Sequence, residues 1–226
     1  MTEHILHQDN SSVSTPKILV QCDFDGTITL EDISFIILDI FTVGDWRKIY
    51  EEYQAGKITV GRFNREAFAM VKADRKRLLA SVEGKMTTRS GFKELVACCR
   101  RKNFRFVIVS NGLDFYIKHI LETAGLYDIE IYASQTCFHG DKLSVEYIGP
   151  DGTPLDSGFK EAYVEKFLRD NYRVVYIGDG TSDYLPARKC HHIFATGALL
   201  KRCQQEKLTC TPFSGFEEVT AVLEGV

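Results

Sequence analysis

The sequence predicts an α/β protein with a doubly wound, parallel-sheet (Rossmann-like) core and a small helical cap domain inserted after the first strand. Three observations carry that prediction. From Arg89 onward, short apolar runs alternate with amphipathic segments across short loops, the pattern of parallel strands joined by crossover helices. Three of the apolar runs end in polar, glycine-containing loops: DFDGT at 23–27, SNG at 110–112 and GDGTSD at 178–183. Between the first and second runs, residues 31–85 show only helical spacing, although one crossover helix would suffice to join two parallel strands.

Taken in order, residues 1–16 are polar and rich in Ser, His and Asn, and are expected to form a flexible tail. Residues 17–30 and 86–226 make the core, and 31–85 the cap. Lys17 opens an apolar run that reads as a buried strand. Ile33, Ile36, Ile37, Ile40 and Phe41 then recur at helical spacing. Trp46, Ile49, Tyr50 and Tyr53 repeat the stripe, with Gly56 as a stop. Thr59 is placed to cap a third helix through Val60, Phe63, Ala67 and Val71, and Leu78, Leu79 and Val82 mark a shorter one. A helix through Phe92, Leu95, Val96 and Cys99 precedes a strand over 104–109. A helix over Phe115–Leu121 leads to a third strand at 129–133, and 135–148 reads as a hairpin around His139-Gly140-Asp141. Residues 158–170 are amphipathic, with Phe159, Tyr163 and Phe167 on one face; 174–177 is a buried strand, and 192–195 the last core strand. Two amphipathic segments, around Leu199 and around Phe216, Val219 and Val222, finish the chain.

Composition narrows the function classes. Of 226 residues, 44% are hydrophobic and 26% charged, which is ordinary for a globular protein, and the net charge of −3 offers no electrostatic footprint for nucleic acid or an anionic membrane. The seven cysteines show no CxxC or zinc spacing. With no signal peptide or long apolar run, a cytoplasmic location is expected. The sequence sets no oligomeric state.

The three loops would meet at the carboxyl edge of the sheet, where ligands bind in open α/β folds. Asp23 and Asp25 stand two residues apart on one face of the strand end, so their charges call for a cation, a proton-transfer role or both. The calcium-loop alternative fails, because Gly26 and Ser34 fall at the wrong positions for that pattern. A phosphate monoester suits the edge. Asp23 is the candidate nucleophile, and Asp25 the candidate acid and base. Gly26, Thr27, Ser110, Asn111 and Gly112 are candidates for holding the phosphate. Lys160 would neutralise Asp23 and the phosphate together. Asp23, the Asp25 backbone carbonyl and Asp179 would hold Mg²⁺, with Asp183 a further ligand, direct or through water.

In their order and spacing, CDFDGT, VSNG, Lys160 and IGDGTSD resemble the four motifs of the haloacid dehalogenase superfamily of aspartate-nucleophile phosphohydrolases, from Lys17 nearly to the end. The likeness implies a helical cap, Mg²⁺ and a small phosphorylated metabolite as substrate. Within that superfamily the chain looks most like the phosphoserine phosphatase group. More narrowly it is similar to methionine-salvage 2-hydroxy-3-keto-5-methylthiopentenyl-1-phosphate phosphatases, through DFDGTIT, Trp46 with Gly56-Lys57-Ile58, and Ile193-Phe194-Ala195 with Gly197 and Leu200. One departure stands out. Where phosphoserine phosphatases place a Glu to read the substrate amine, this chain has Asp32, which would face substrate or cap the helix beside it. Arg47, Arg62 and Arg65 are candidates for a substrate carboxylate. A phosphatase for phosphoserine or another amino-alcohol phosphate, a phosphomutase, and a receiver that holds its phosphate without turnover remain as alternatives.

Overall fold

In a computed structural model the described residues are 17–85 and 87–226, so the expected tail at 1–16 lies outside them. The chain runs β1 (Lys17–Cys22), α1 (Ile33–Phe41), α2 (Trp46–Gln54), α3 (Val60–Ala69), α4 (Arg75–Val82), α5 (Phe92–Arg101), β2 (Arg105–Leu113), α6 (Asp114–Thr123), β3 (Glu130–His139), β4 (Lys142–Ile148) and β5 (Pro154–Leu155). It continues as α7 (Phe159–Arg169), β6 (Tyr172–Gly178), a 3₁₀ turn (Thr181–Asp183), α8 (Tyr184–Ala187), β7 (His192–Ala195), α9 (Gly197–Gln205), β8 (Thr211–Pro212) and α10 (Phe216–Glu224).

The sheet order is β5-β4-β3-β2-β1-β6-β7-β8. Pairing is parallel from β3 through β8, and antiparallel where β4 joins β3 and β5 joins β4. β1 is central, and Leu19, Val20, Gln21 and Cys22 are all fully buried, which explains why its sequence reads as a run rather than an alternation. Cys22 pairs with Ile108 on one side and Ile177 on the other, so β1, β2 and β6 reach the same edge together. Successive strands lead from β1 towards β2 on one side and from β6 towards β7 on the other. The crevice between those diverging connections is where open α/β sheets bind ligands.

Three of the four helices between β1 and α5, namely α1, α3 and α4, start at a residue whose side chain caps the first turn. Asp32 accepts the Phe35 N–H at 3.0 Å, Thr59 the Arg62 N–H at 3.1 Å, and Asp74 the Arg77 N–H at 2.8 Å, satisfying amide donors that a first turn leaves free. α1, α2 and α3 share an aromatic cluster, with Phe35 packed 5.0 Å from Tyr50 and Phe63 5.6 Å from Tyr53 between ring centroids.

Three elements depart from the sequence reading. β2 runs on through Ser110-Asn111-Gly112 instead of ending before it, with an irregular register against β3 between Val109 and Leu113. β3 pairs with Val109 and Leu113 on either side and skips the three residues between them, an irregularity of the kind that re-aims groups at a strand end. β3 runs unbroken from the expected third strand into the hairpin. A two-residue β8 extends the sheet past β7, and its Pro212 is tolerated because the edge needs no further N–H donor.

Candidate active site

Asp23 follows β1 directly, held by its N–H donating to the Ile177 carbonyl of β6 at 2.9 Å. The residue is 6% exposed. Lys160, from the first turn of α7, brings its Nζ to 2.8 Å from Asp23 Oδ2 and 2.7 Å from Asp183 Oδ1. The lysine is 2% exposed although Phe159, Tyr163 and Phe167 face the core beside it. A buried ammonium is tolerable only with such partners. Burial would lower the Lys160 pKa, but Asp183 and then Asp23 outweigh it and hold the group charged. Burial and the Asp183 charge push Asp23 up to about 8 against the pull of Lys160.

Asp183 is fully buried, and its two oxygens take four donors: Lys160, the Tyr176 hydroxyl at 2.7 Å, and the N–H groups of Asp179 and Gly180 at 3.1 and 2.8 Å. It braces the 179–180 loop and the lysine together. Asp179 accepts the Thr27 hydroxyl at 2.6 Å on Oδ1, and burial followed by the Asp183 charge raises it to about 6. Asp23, Asp179 and Asp183 each bring one carboxylate oxygen within 4.8 Å of the others.

Asp25 is gripped at both oxygens. The Ile33 N–H of α1 donates to Oδ1 at 2.9 Å, and the Tyr116 hydroxyl of α6 to Oδ2 at 2.5 Å. Burial and the neighbouring Asp32 push its pKa well above the carboxylate range, the direction an acid catalyst near neutral pH requires. Ser110, 1% exposed, accepts the Gly112 N–H at 3.0 Å, which leaves its own hydrogen to donate elsewhere. The Asn111 carbonyl is occupied by the Tyr147 hydroxyl at 2.6 Å and by the Asn64 amide at 3.2 Å.

Asp23, Asp25, Asp32, Ser110, Asn111, Gly112, Lys160 and Asp179 line one cavity of about 390 Å³ together with Phe35, Tyr50, Tyr53 and Phe63 of α1–α3. A hollow of about 590 Å³ between Arg65 and the β3–β5 strands brings none of the strand-end acids together. Gly26 and Thr27, expected at the phosphate, stand behind Asp179 instead. A Cβ on Gly26, whose φ is +76°, would meet an Asp179 oxygen at 2.5 Å, and Thr27 is fully buried with its hydroxyl on that carboxylate. The three arginines expected to read a carboxylate are engaged outside the cavity: Arg47 with Asp39, Arg62 with Glu66, and Arg65 with Asp156. Asp32 caps α1, as one of its two expected roles, and also lines the cavity; burial lifts it to about 6.

Two contributors carry no sequence signal of their own. Arg89 donates to the carbonyls of Gly26, Thr27 and Ser214 at 2.7, 2.9 and 2.9 Å, pinning the loop that carries both strand-end acids. Tyr116 sits between apolar neighbours on α6, where spacing marks it only as core.

Comparison with known proteins agrees with this arrangement. The family model of haloacid dehalogenase-like hydrolases matches residues 20–188. A 2-hydroxy-3-keto-5-methylthiopentenyl-1-phosphate phosphatase of Bacillus pumilus (strain SAFR-032) is 28% identical over 215 residues, covering 93% of this chain and 92% of its own. The enzyme of the same description from Geobacillus kaustophilus (strain HTA426) is 29% identical, covering 93% and 97%. A phosphoserine phosphatase solved as a phospho-aspartyl intermediate analogue shares the fold, with a TM-score of 0.68 at 20% identity over 92% of this chain and 99% of that one. The fold, the convergence of the four motifs and these likenesses lead to one conclusion: the chain belongs to the haloacid dehalogenase-like hydrolases, as a phosphatase of that family.

Proposed function

We propose that this chain hydrolyses a small phosphate monoester through an aspartyl-phosphate on Asp23, with Mg²⁺ as cofactor. The observation that carries the reading is the convergence of Asp23, Lys160, Ser110 and Asp179 on one cavity at the sheet edge. The donor set suits a hard cation. Asp23 Oδ1 is buried with no hydrogen-bond partner, and Thr27 occupies only one oxygen of Asp179. Asp23, Asp179 and the Asp25 carbonyl would hold the ion. Asp183, with its lone pairs taken by four donors, serves in this reading to position Lys160 and the 179–180 loop. When bound, Mg²⁺ supplies charge neutralisation at the phosphoryl oxygens.

The chain's own groups do the rest. Lys160 draws the Asp23 carboxyl towards its anionic form against burial and the Asp183 charge and offers positive charge to the phosphate, and the free Ser110 hydrogen donates to a phosphoryl oxygen. An Asp23 oxygen attacks phosphorus as the bond to the alcohol oxygen breaks, and Asp25 gives that oxygen its proton. Water then attacks the same phosphorus, loses its proton to Asp25, and restores the Asp23 carboxylate with release of phosphate. The α1–α4 segment acts as a cap: Phe35, Tyr50, Tyr53 and Phe63 close the cavity and exclude water.

The wall also bears on the substrate. Among the described residues no guanidinium lines this cavity, and its lysine is already flanked by two carboxylates. A leaving alcohol without a carboxylate fits better than serine. That favours a methionine-salvage type of substrate, as in the curated relatives, over phosphoserine. The cysteines among the described residues are free, in keeping with a cytoplasmic enzyme. A panel of phosphate monoesters assayed with Mg²⁺, with EDTA and with Asp23→Asn tests the proposal. Phosphate release abolished by both treatments is expected, and release that survives both would end the reading.

A further inference from the structure

We propose that Tyr116, backed by Ser34, is a positioning residue for the proton transfer to the leaving alcohol, holding the Asp25 carboxyl in the orientation that step needs. The inference rests on Asp25 being the acid of the reaction, as proposed above. Tyr116 does not line the cavity; it stands behind Asp25 and is fully buried. Its ring is wedged between Phe115 at 5.5 Å and Phe24 at 6.3 Å, so the hydroxyl has one place to point. That place is Asp25 Oδ2, 2.5 Å away, while the Ile33 N–H takes Oδ1. One donor on each oxygen fixes the plane of the carboxyl as well as its position.

The tyrosine oxygen is itself supported. Ser34 Oγ lies 2.8 Å from it, and with the Tyr116 hydrogen given to Asp25, the Ser34 hydroxyl is the donor of that pair. The approach is close on every side: a Cβ on Gly112 would run into both Asp25 Oδ2 and the Tyr116 hydroxyl. Ser34 and Ile33 belong to the first turn of α1. The acid is therefore held from α6 and from the α1–α4 segment at once, and its orientation depends on how that segment sits on the sheet edge.

A misplaced acid has a particular kinetic signature. An alkyl phosphate needs its leaving oxygen protonated, whereas p-nitrophenyl phosphate leaves as a phenolate that is stable without a proton. General damage to the fold lowers both rates together, but loss of the proton donor lowers their ratio. The experiment measures kcat/KM, which reports the step that expels the leaving group, at saturating Mg²⁺ for the best alkyl phosphate of the panel and for p-nitrophenyl phosphate, in the wild type, Asp25→Asn, Tyr116→Phe and Ser34→Ala. Thermal melting is followed in parallel. In Asp25→Asn the alkyl-to-aryl ratio should fall by about 10²–10⁴-fold, the share a general acid contributes. Tyr116→Phe should lower it about tenfold and Ser34→Ala about threefold, as partial losses of that contribution. If the ratio falls in Asp25→Asn but holds in both Tyr116→Phe and Ser34→Ala, the positioning role is overturned and the acid stands. If it holds in Asp25→Asn too, the acid assignment fails and this inference with it. Should melting show Tyr116→Phe unfolded, Ser34→Ala decides alone.

Discussion

On the strand-end side of the cavity, Asp23, Ser110, Lys160 and Asp183 are at most 6% exposed, and Lys160 and Asp183 hold each other through charge-assisted hydrogen bonds. On the α1–α4 side, the wall is aromatic, and the arginines nearby form half-exposed pairs with Asp39, Glu66 and Asp156. The first wall is a set of charges that cannot be altered singly without stranding a partner. The second is a packed surface with no charge shared between its aromatic members. In the proposed function, such a division would let one side keep the reaction while the other chooses the substrate.

The comparison can be tested from its rigid side first. Lys160→Met removes the cation shared by Asp23 and Asp183, and should cost about 3–5 kcal/mol of stability in denaturant melts along with turnover, since it leaves two buried acids without their counter-charge. Thr27→Val frees Asp179 without touching the cavity. The Mg²⁺ concentration for half-maximal activity should rise on the order of tenfold, as expected when an outer partner of a metal ligand is lost. On the other wall, Tyr53→Leu should change kcat/KM by less than about tenfold, mainly through KM, and should reorder the substrate panel while turnover persists. An equal loss across all substrates would erase the distinction between the walls.

The smallest effect lies far from the site. Arg105, 2.6 Å from Glu130, holds that carboxyl below its usual range. The folded pKa is lowered, so the pair's contribution is full above the ordinary glutamate pKa and disappears as pH falls through the folded value. In Glu130→Gln the melting difference from wild type should therefore shrink between pH 7 and pH 3. At most about 1 kcal/mol is expected for so exposed a pair.

What the sequence revealed follows from where each partner lies. Asp23, Asp25 and the GDGTSD loop were legible because each motif is short and sits at the end of an apolar run. Thr27 misled, because its hydroxyl turns to a carboxylate 152 positions away rather than to the cavity its motif opens. Tyr116 left no trace for the same reason: its target is 91 positions distant, and its neighbours on α6 read as core. Helical spacing revealed α1–α4 but not which way Arg47, Arg62 and Arg65 point, which depends on acids contributed by other turns and by the loop after β5. Ser110-Asn111-Gly112 reads as a loop by composition, and its place inside β2 depends on the pairing of Val109 and Leu113 with β3 on either side of it.

The central claim concerns which atom receives the phosphate. Wild-type enzyme is stopped with borohydride during turnover of its best substrate, and the reduced acyl phosphate is mapped by mass spectrometry. The account predicts modification at Asp23 alone, absent from Asp23→Asn. Modification at Asp25 or Asp179, or none at all while phosphate is released, would contradict it.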